Sequence, residues 1–168
     1  MFLTLFLLIS DSNKYVIKYF DTTAMDQKIY TDINLAAPCG IYCGTCSHYL
    51  AREKGQLDAK KLKHGCKGCR VQNKKCSWVK KDCALLRKNQ HFFCFECSDY
   101  PCANLEKLHL RHIADDHLNL YENLDRIKSI GVQQWLLEQQ ERWKCPVCGG
   151  SFCAMDKSCY DCGYKEKK

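Results

Sequence analysis

Ten of the chain's fifteen cysteines fall in the 64 residues from Cys39 to Cys102. Three CxxC pairs (Cys43/Cys46, Cys66/Cys69 and Cys94/Cys97) stand there among four single thiols, Cys39, Cys76, Cys83 and Cys102. A two-residue gap lets one tight turn aim both sulfurs at one ion, and Gly40, Gly44 and Gly68 permit the positive φ that such turns use. The stretch therefore reads as metal-binding, and this limits the fold. After Cys69 the gaps between successive unpaired cysteines and CxxC pairs are six, six, ten and four residues, too short for a packed helix pair. The expected fold is a small metal-stapled protein, irregular and helical where the cysteines are dense, with metal standing in for core.

Composition points the same way. Apolar residues make up 46% of the chain, but that figure counts the fifteen cysteines, so the aliphatic and aromatic core is thin. A thin core needs disulfides or metals as staples. Which of the two serves depends on the redox compartment. An odd cysteine count and five CxxC pairs, with no export signal opening on positive charge, favour reduced thiolates on metal in the cytoplasm. A structural zinc site contributes an apparent ~10 to 16 kcal/mol in small peptides, against a net stability of ~5 to 15 kcal/mol for a whole domain. On that scale the metal decides whether the chain folds.

The formal charge of +7 is unevenly spread. Arg52 to Lys88 holds thirteen Lys/Arg against three acids, a local +10, and the rest of the chain sums to about −3. A four-cysteine zinc site carries a charge of −2, and three such sites would lower the net to about +1. The basic stretch thus has two readings: a shell that offsets thiolate charge, or a patch for single-stranded nucleic acid with Trp78, Phe92 and Phe93 as stacking faces.

Residues 1–36 form an N-terminal extension. Its apolar run MFLTLFLLIS lacks a positive residue before it and is shorter than the roughly 20 residues that span a bilayer. An upstream start ahead of a true one at Met25, a weak signal peptide and a short extra strand all remain open. Residues 37–102 form the cysteine-rich domain, where SHYLAREKGQLDAKKLKHG reads as one or two short helices broken at Gly55 and ended at Gly65. Residues 103–143 read as three short helices. Leu105, Leu108 and Ile113 mark the first. Asn119 caps the second with Glu122 at its third position, Leu120, Leu124 and Ile127 form its stripe, and Gly131 ends it. The third runs from Val132 to about Arg142, with Trp135, Leu136 and Trp143.

Residues 144–168 open with KCPVCGG and close with CYDCGYK. Cys145, Cys148, Cys159 and Cys162 form two CxxC knuckles on the arms of a hairpin, each followed by glycine, which is the zinc-ribbon pattern. Cys153 is the spare and, beside Phe152, reads as a buried structural thiol.

Taken together, APCGIYCGTC, CKGCR, FCFECSDYPC, YENLDRIKSIG and RWKCPVCGG…CYDCG resemble an uncharacterised family of small prokaryotic cysteine-rich proteins, the domain of unknown function 3795. The resemblance runs from about Ala37 to Gly163. It implies zinc binding and carries no activity over.

Other chemistries fit the residues less well. Cys39, Cys43 and Cys46 have the CxxxCxxC spacing of radical enzymes that bind a four-iron cluster, yet no alternation of strands and helices comes after them and Thr45 stands where those enzymes place an aromatic. His109, His112 and His117 with Asp115 and Asp116 suggest a hydrolytic site, but HxxH lacks the glutamate and third ligand of a metalloprotease. No CxxC is set apart as a thiol redox pair. His48, His64 and His91 lie near cysteines and read as exposed loop residues rather than ligands.

The expectation is two to three zinc sites drawn from Cys39, Cys43, Cys46, Cys66, Cys69, Cys76, Cys83, Cys94, Cys97, Cys102 and the ribbon four. An iron–sulfur cluster at the N-terminal-domain cysteines is the alternative. One partition puts Cys43, Cys46, Cys66 and Cys69 in one site and Cys83, Cys94, Cys97 and Cys102 in another. The expected role is a non-catalytic module that binds protein or single-stranded nucleic acid through Arg52 to Lys88, with no membrane and no small-molecule substrate.

Overall fold

The computed structural model describes residues 32–71 and 83–166, all within one compact unit. The Met1–Ser10 run, Met25, Cys76, Trp78 and the lysines Lys74, Lys75, Lys80 and Lys81 lie outside the described residues. Among the described residues are five α-helices and one antiparallel hairpin. In order they are α1 (Ser47–Glu53), α2 (Ala84–Arg87), α3 (Ala103–Asp116), α4 (Leu120–Ile130) and α5 (Val132–Arg142), then β1 (Phe152–Cys153) and β2 (Ser158–Cys159). The strands pair with Phe152 opposite Cys159 and Cys153 opposite Ser158. No helix among the described residues is long and apolar enough to cross a membrane.

Local chemistry sets the helix ends. The Asn119 side chain accepts the Glu122 N–H at 3.2 Å, satisfying one of the donors left bare at the start of α4. The His109 ring adds a second, taking the Leu120 N–H on Nδ1 at 3.3 Å. Gly131, at φ +82°, closes α4 and opens α5 as the sequence expects. Between Cys46 and Gly65 one helix forms rather than two. It stops at Glu53, before Gly55, and the chain continues in turns.

Leu105, Leu108, Leu120, Leu124, Trp135 and Leu136 are almost wholly buried and bring α3, α4 and α5 together. Ile113 is only half-buried, and on α3 the inward places beside the leucines are held by His109 and His112. The core does not stop where the cysteines begin. Ala36, Ala37, Ile41, Tyr42, Cys39, Cys43, Cys69 and Cys94 join the same buried cluster, and the Tyr42 ring meets Trp135 edge-on at 6.3 Å. Cysteine-bearing turns and helices thus share one interior, where the sequence suggests an irregular region with metal in place of core.

That shared interior depends on a close approach at Gly40. Its φ is +85°, and a Cβ there would lie 2.8 Å from the Leu120 carbonyl oxygen and 3.0 Å from Leu124. Its own carbonyl accepts the buried Asn123 amide at 2.9 Å. Gly44 serves differently from the positive-φ role read in the sequence. It leaves room for the Tyr42 ring, which would be 2.2 Å from a Cβ. Gly40→Ala should therefore destabilise the fold by at least about 2 kcal/mol, since left-handed backbone costs an L-residue roughly 1–2 kcal/mol before any clash is counted. An unchanged urea midpoint would show that the approach is not tight.

Candidate metal centre

The C-terminal hairpin builds two turns of the same design. In the first, the Gly149 N–H reaches the Cys145 carbonyl at 2.9 Å and the Cys145 N–H reaches Gly150 O at 2.8 Å. In the second, the Gly163 N–H reaches Cys159 O at 3.2 Å and the Cys159 N–H reaches Tyr164 O at 2.7 Å. Gly149 and Gly163 supply the positive φ at which each turn ends. Sulfurs accept backbone donors inside both turns: Val147 N–H on Cys145 Sγ at 3.4 Å, Gly150 N–H on Cys148 Sγ at 3.4 Å and Asp161 N–H on Cys159 Sγ at 3.3 Å.

This geometry gathers four sulfurs. The Sγ atoms of Cys145, Cys148, Cys159 and Cys162 lie within 4.8 Å of one another, with Cys145 to Cys162 at 3.7 Å and Cys148 to Cys159 at 3.6 Å. A tetrahedron whose centre is about 2.3 Å from each sulfur has an edge of about 3.8 Å, so this set accepts one four-coordinate metal ion. The electrostatics ask for a cation. Against the cost of burial, the Cys148 and Val147 N–H groups and the Cys159 and Cys162 thiols bring the Cys145 thiol down to about 7. Although the Gly150 N–H favours its thiolate, the neighbouring Cys162, Cys159 and Cys145 push Cys148 up. Cys145 ionises most readily, whereas Cys148 and Cys162 are held above the ordinary thiol value beside their neighbours.

The hairpin is held to the cysteine-rich domain through Thr45. Its buried hydroxyl donates to the Phe152 carbonyl at 2.9 Å and accepts the Ala154 N–H at 2.8 Å. Gln56 donates to the Tyr160 carbonyl at 2.8 Å, and Lys54 pairs with Asp161, which also accepts the Ser151 N–H at 2.6 Å. Lys60 lies 3.3 Å from Asp156 and 4.1 Å over the Tyr160 ring. Cys153 is fully buried against Leu50, Ala51 and Tyr160, the structural role expected of it.

No disulfide joins the described cysteines. Cys39, Cys43, Cys46, Cys66, Cys69 and Cys94 are buried, whereas Cys83, Cys97 and Cys102 are half-buried. The first two CxxC turns meet, with the Cys69 N–H 3.4 Å from Cys43 Sγ. Arg70 is bound across this region. Its Nε donates to Ala36 O at 2.6 Å, its Nη1 to Phe92 O at 2.8 Å, and its guanidinium lies 3.5 Å from the Phe92 ring centre. Burial lowers its pKa to about 10, while the nearby Cys43, Cys39 and Cys69 support its charge. Two cavities open among the cysteines. One of about 280 Å³ is lined by Cys83, Cys94, Cys97 and Cys102. The other, about 300 Å³, is lined by Cys43, Cys46 and Cys69 together with His112 and Asp116. Among the described residues, only the C-terminal four bring three or more ligand atoms within 4.8 Å of one another.

A family described as "Protein of unknown function (DUF3795)" matches residues 35–107. The match spans the cysteine-rich domain and the first turn of α3, so the four-sulfur hairpin lies beyond it, although the sequence resemblance runs as far as Gly163. No curated protein and no solved structure matches the chain.

Within the DUF3795 segment, His48 touches the His64 carbonyl at 3.1 Å and His91 is 4.0 Å from Glu96. On α3, His109 stacks on Tyr121 with ring centres 4.1 Å apart, and His112 Nδ1 is 2.7 Å from Asp116 Oδ2. Both rings are buried, and His117, exposed, ends the helix in a left-handed conformation. The roles of Thr45, Arg70 and His109 have no readable sequence signal. Two have partners far off in the chain, and the third imitates an ordinary core residue. Thr45→Val should cost about 2 kcal/mol, because the buried Phe152 carbonyl would lose its donor and the hairpin its latch. Chemical denaturation would measure it, and a loss under about 0.5 kcal/mol would mean that the latch carries no stability.

Proposed function

We propose that the chain is a zinc-binding protein whose metal is structural, and that it serves as a non-catalytic module for binding a partner. The observation that carries this reading is the sulfur spacing of 3.6 and 3.7 Å in the C-terminal hairpin, which is the edge length of a zinc–thiolate tetrahedron. Four protein sulfurs fill all four positions around such an ion. A catalytic zinc keeps one position open for water or substrate, and a closed set suits a structural ion. In the zinc-ribbon reading, strands of two residues each gain their stability from the ion, because a hairpin this short is marginal alone.

The partner side of the proposal rests on charge. The stretch from Arg52 to Lys88 carries an excess of ten positive charges, and the site for protein or single-stranded nucleic acid is assigned there. Part of that charge has internal work: Lys54 and Lys60 hold the hairpin, and Arg70 lies among thiols. The share that can meet phosphates is therefore the remainder, with Lys74, Lys75, Lys80 and Lys81 at its centre. The cytoplasm, where thiols stay reduced, is the proposed location.

Elemental analysis of the purified chain should find zinc, and Cys148→Ser should lower the zinc-to-protein ratio by one. Chelation should then melt the hairpin, read as lost hydrogen-exchange protection at Cys159 and Tyr160. Full retention of that protection without metal would end the structural-zinc reading. Affinity for single-stranded RNA should fall steeply as salt rises and weaken when the four lysines are changed to glutamate. No binding at low salt would restrict the partner to protein.

A further inference from the structure

We propose that Cys83, Cys94, Cys97 and Cys102 hold an iron–sulfur cluster, at a second metal site distinct from the C-terminal one. The two sets of four cysteines differ in size. The C-terminal sulfurs close upon a point, at 3.6 and 3.7 Å across two of their pairs. The other four line, with Leu86, Phe93, Tyr100 and other residues, one cavity of about 280 Å³. Among the described residues, no three of these sulfurs come within the 4.8 Å that the C-terminal set achieves. Four thiols that line one cavity without closing on a point fit a cofactor that brings its own centre, with inorganic sulfide bridging the irons and each cysteine capping one iron from outside.

The arrangement has the other features of such a site. Three of its four thiols come from one short run, CFECSDYPC, and close cysteine runs are usual cluster ligands. Cys94 begins a single 3-10 turn and Cys97 ends it, while Cys102 caps the 14-residue α3. The positive end of α3 therefore faces into the anionic centre. The Asp99 N–H donates to Cys97 Sγ at 3.4 Å, the kind of bond to sulfur that tunes a cluster's potential. Leu86, Phe93, Tyr100 and Leu105 supply apolar wall.

The test uses the full chain, purified without oxygen and supplied with ferric iron, a thiol reductant and sulfide. The expected result is bound iron and acid-labile sulfide, a visible charge-transfer band, and a paramagnetic signal after reduction. Cys97→Ser and Cys102→Ser, both at half-buried positions, should lose the band and the iron, whereas Cys148→Ser should lose zinc and keep both. X-ray absorption of the unaltered chain needs no variant to fold, and should show iron–iron scattering beside iron–sulfur. A chain that stays colourless after reconstitution overturns the proposal, as does a band that survives both variants, or zinc lost from Cys97→Ser in place of iron. Iron with no zinc would sink the structural-zinc reading and leave this one standing.

Discussion

Mutual repulsion among crowded thiolates is the constraint around which this protein is built. Four sulfurs within 4.8 Å of one another repel when ionised together, and the buried cluster around them is small, formed by Cys145, Phe152 and Cys159 against Trp143 and Tyr164. Backbone N–H groups aimed at Cys145, Cys148 and Cys159 ease part of that repulsion. A cation held there, as proposed above, would offset the rest. Folding and ion binding are on this account one process at the C-terminal end, since the sulfurs share no site until the two turns form.

Part of the basic stretch is taken up by contacts within the fold. A lysine-rich stretch beside thiolates looks like a surface for phosphates, yet Lys54 and Lys60 reach across some hundred residues of chain to Asp161 and Asp156 on the hairpin. Arg70 goes further and is fixed by two backbone carbonyls and two phenylalanine rings. Exposed ion pairs are worth only ~0.2–1 kcal/mol each. Here they supply orientation, and the binding of hairpin to domain comes from Thr45, Gln56 and the buried contact of Leu50, Ala51, Cys153 and Tyr160.

Local signals made the helices legible. The Asn119 cap, the Gly131 break and the Val132–Arg142 span all depend on residues within one or two turns of each other, and the structure has them where the sequence puts them. The hairpin knuckles were legible for the same reason: CxxC followed by glycine is a self-contained turn. Contacts that cross the chain were hidden. The sequence sets His109 and His112 aside as a hydrolytic site for want of further ligands, but nothing nearby shows that Tyr121 and Asp116 will take them up. Gly44 reads as a turn residue because its real constraint, the Tyr42 ring, is a matter of side-chain direction. Thr45 stands out in the sequence only as a departure from another family's pattern, and its actual partners lie 107 and 109 residues away.

Spacing along the chain also could not separate two kinds of cysteine set that look alike in one dimension. Cys94 and Cys97 repeat the interval of Cys145 and Cys148, yet the first pair flanks a cavity and the second closes onto a point. The difference arises from the path of the chain beyond each turn. After Cys148 the chain folds straight back as a hairpin, so a second identical knuckle is delivered at bonding distance. After Cys97 it runs instead into α3, whose first residues are tied to the leucine core, so Cys102 is fixed by the packing of Leu105 and Leu108 rather than by a partner sulfur. A thiol positioned by a helix core cannot move inward to meet a small ion without dragging that core with it, and dense interiors resist such shifts. In the two-site reading proposed above, the size of the group each set would hold is set by the element that carries its last cysteine, a hairpin in one case and a packed helix in the other.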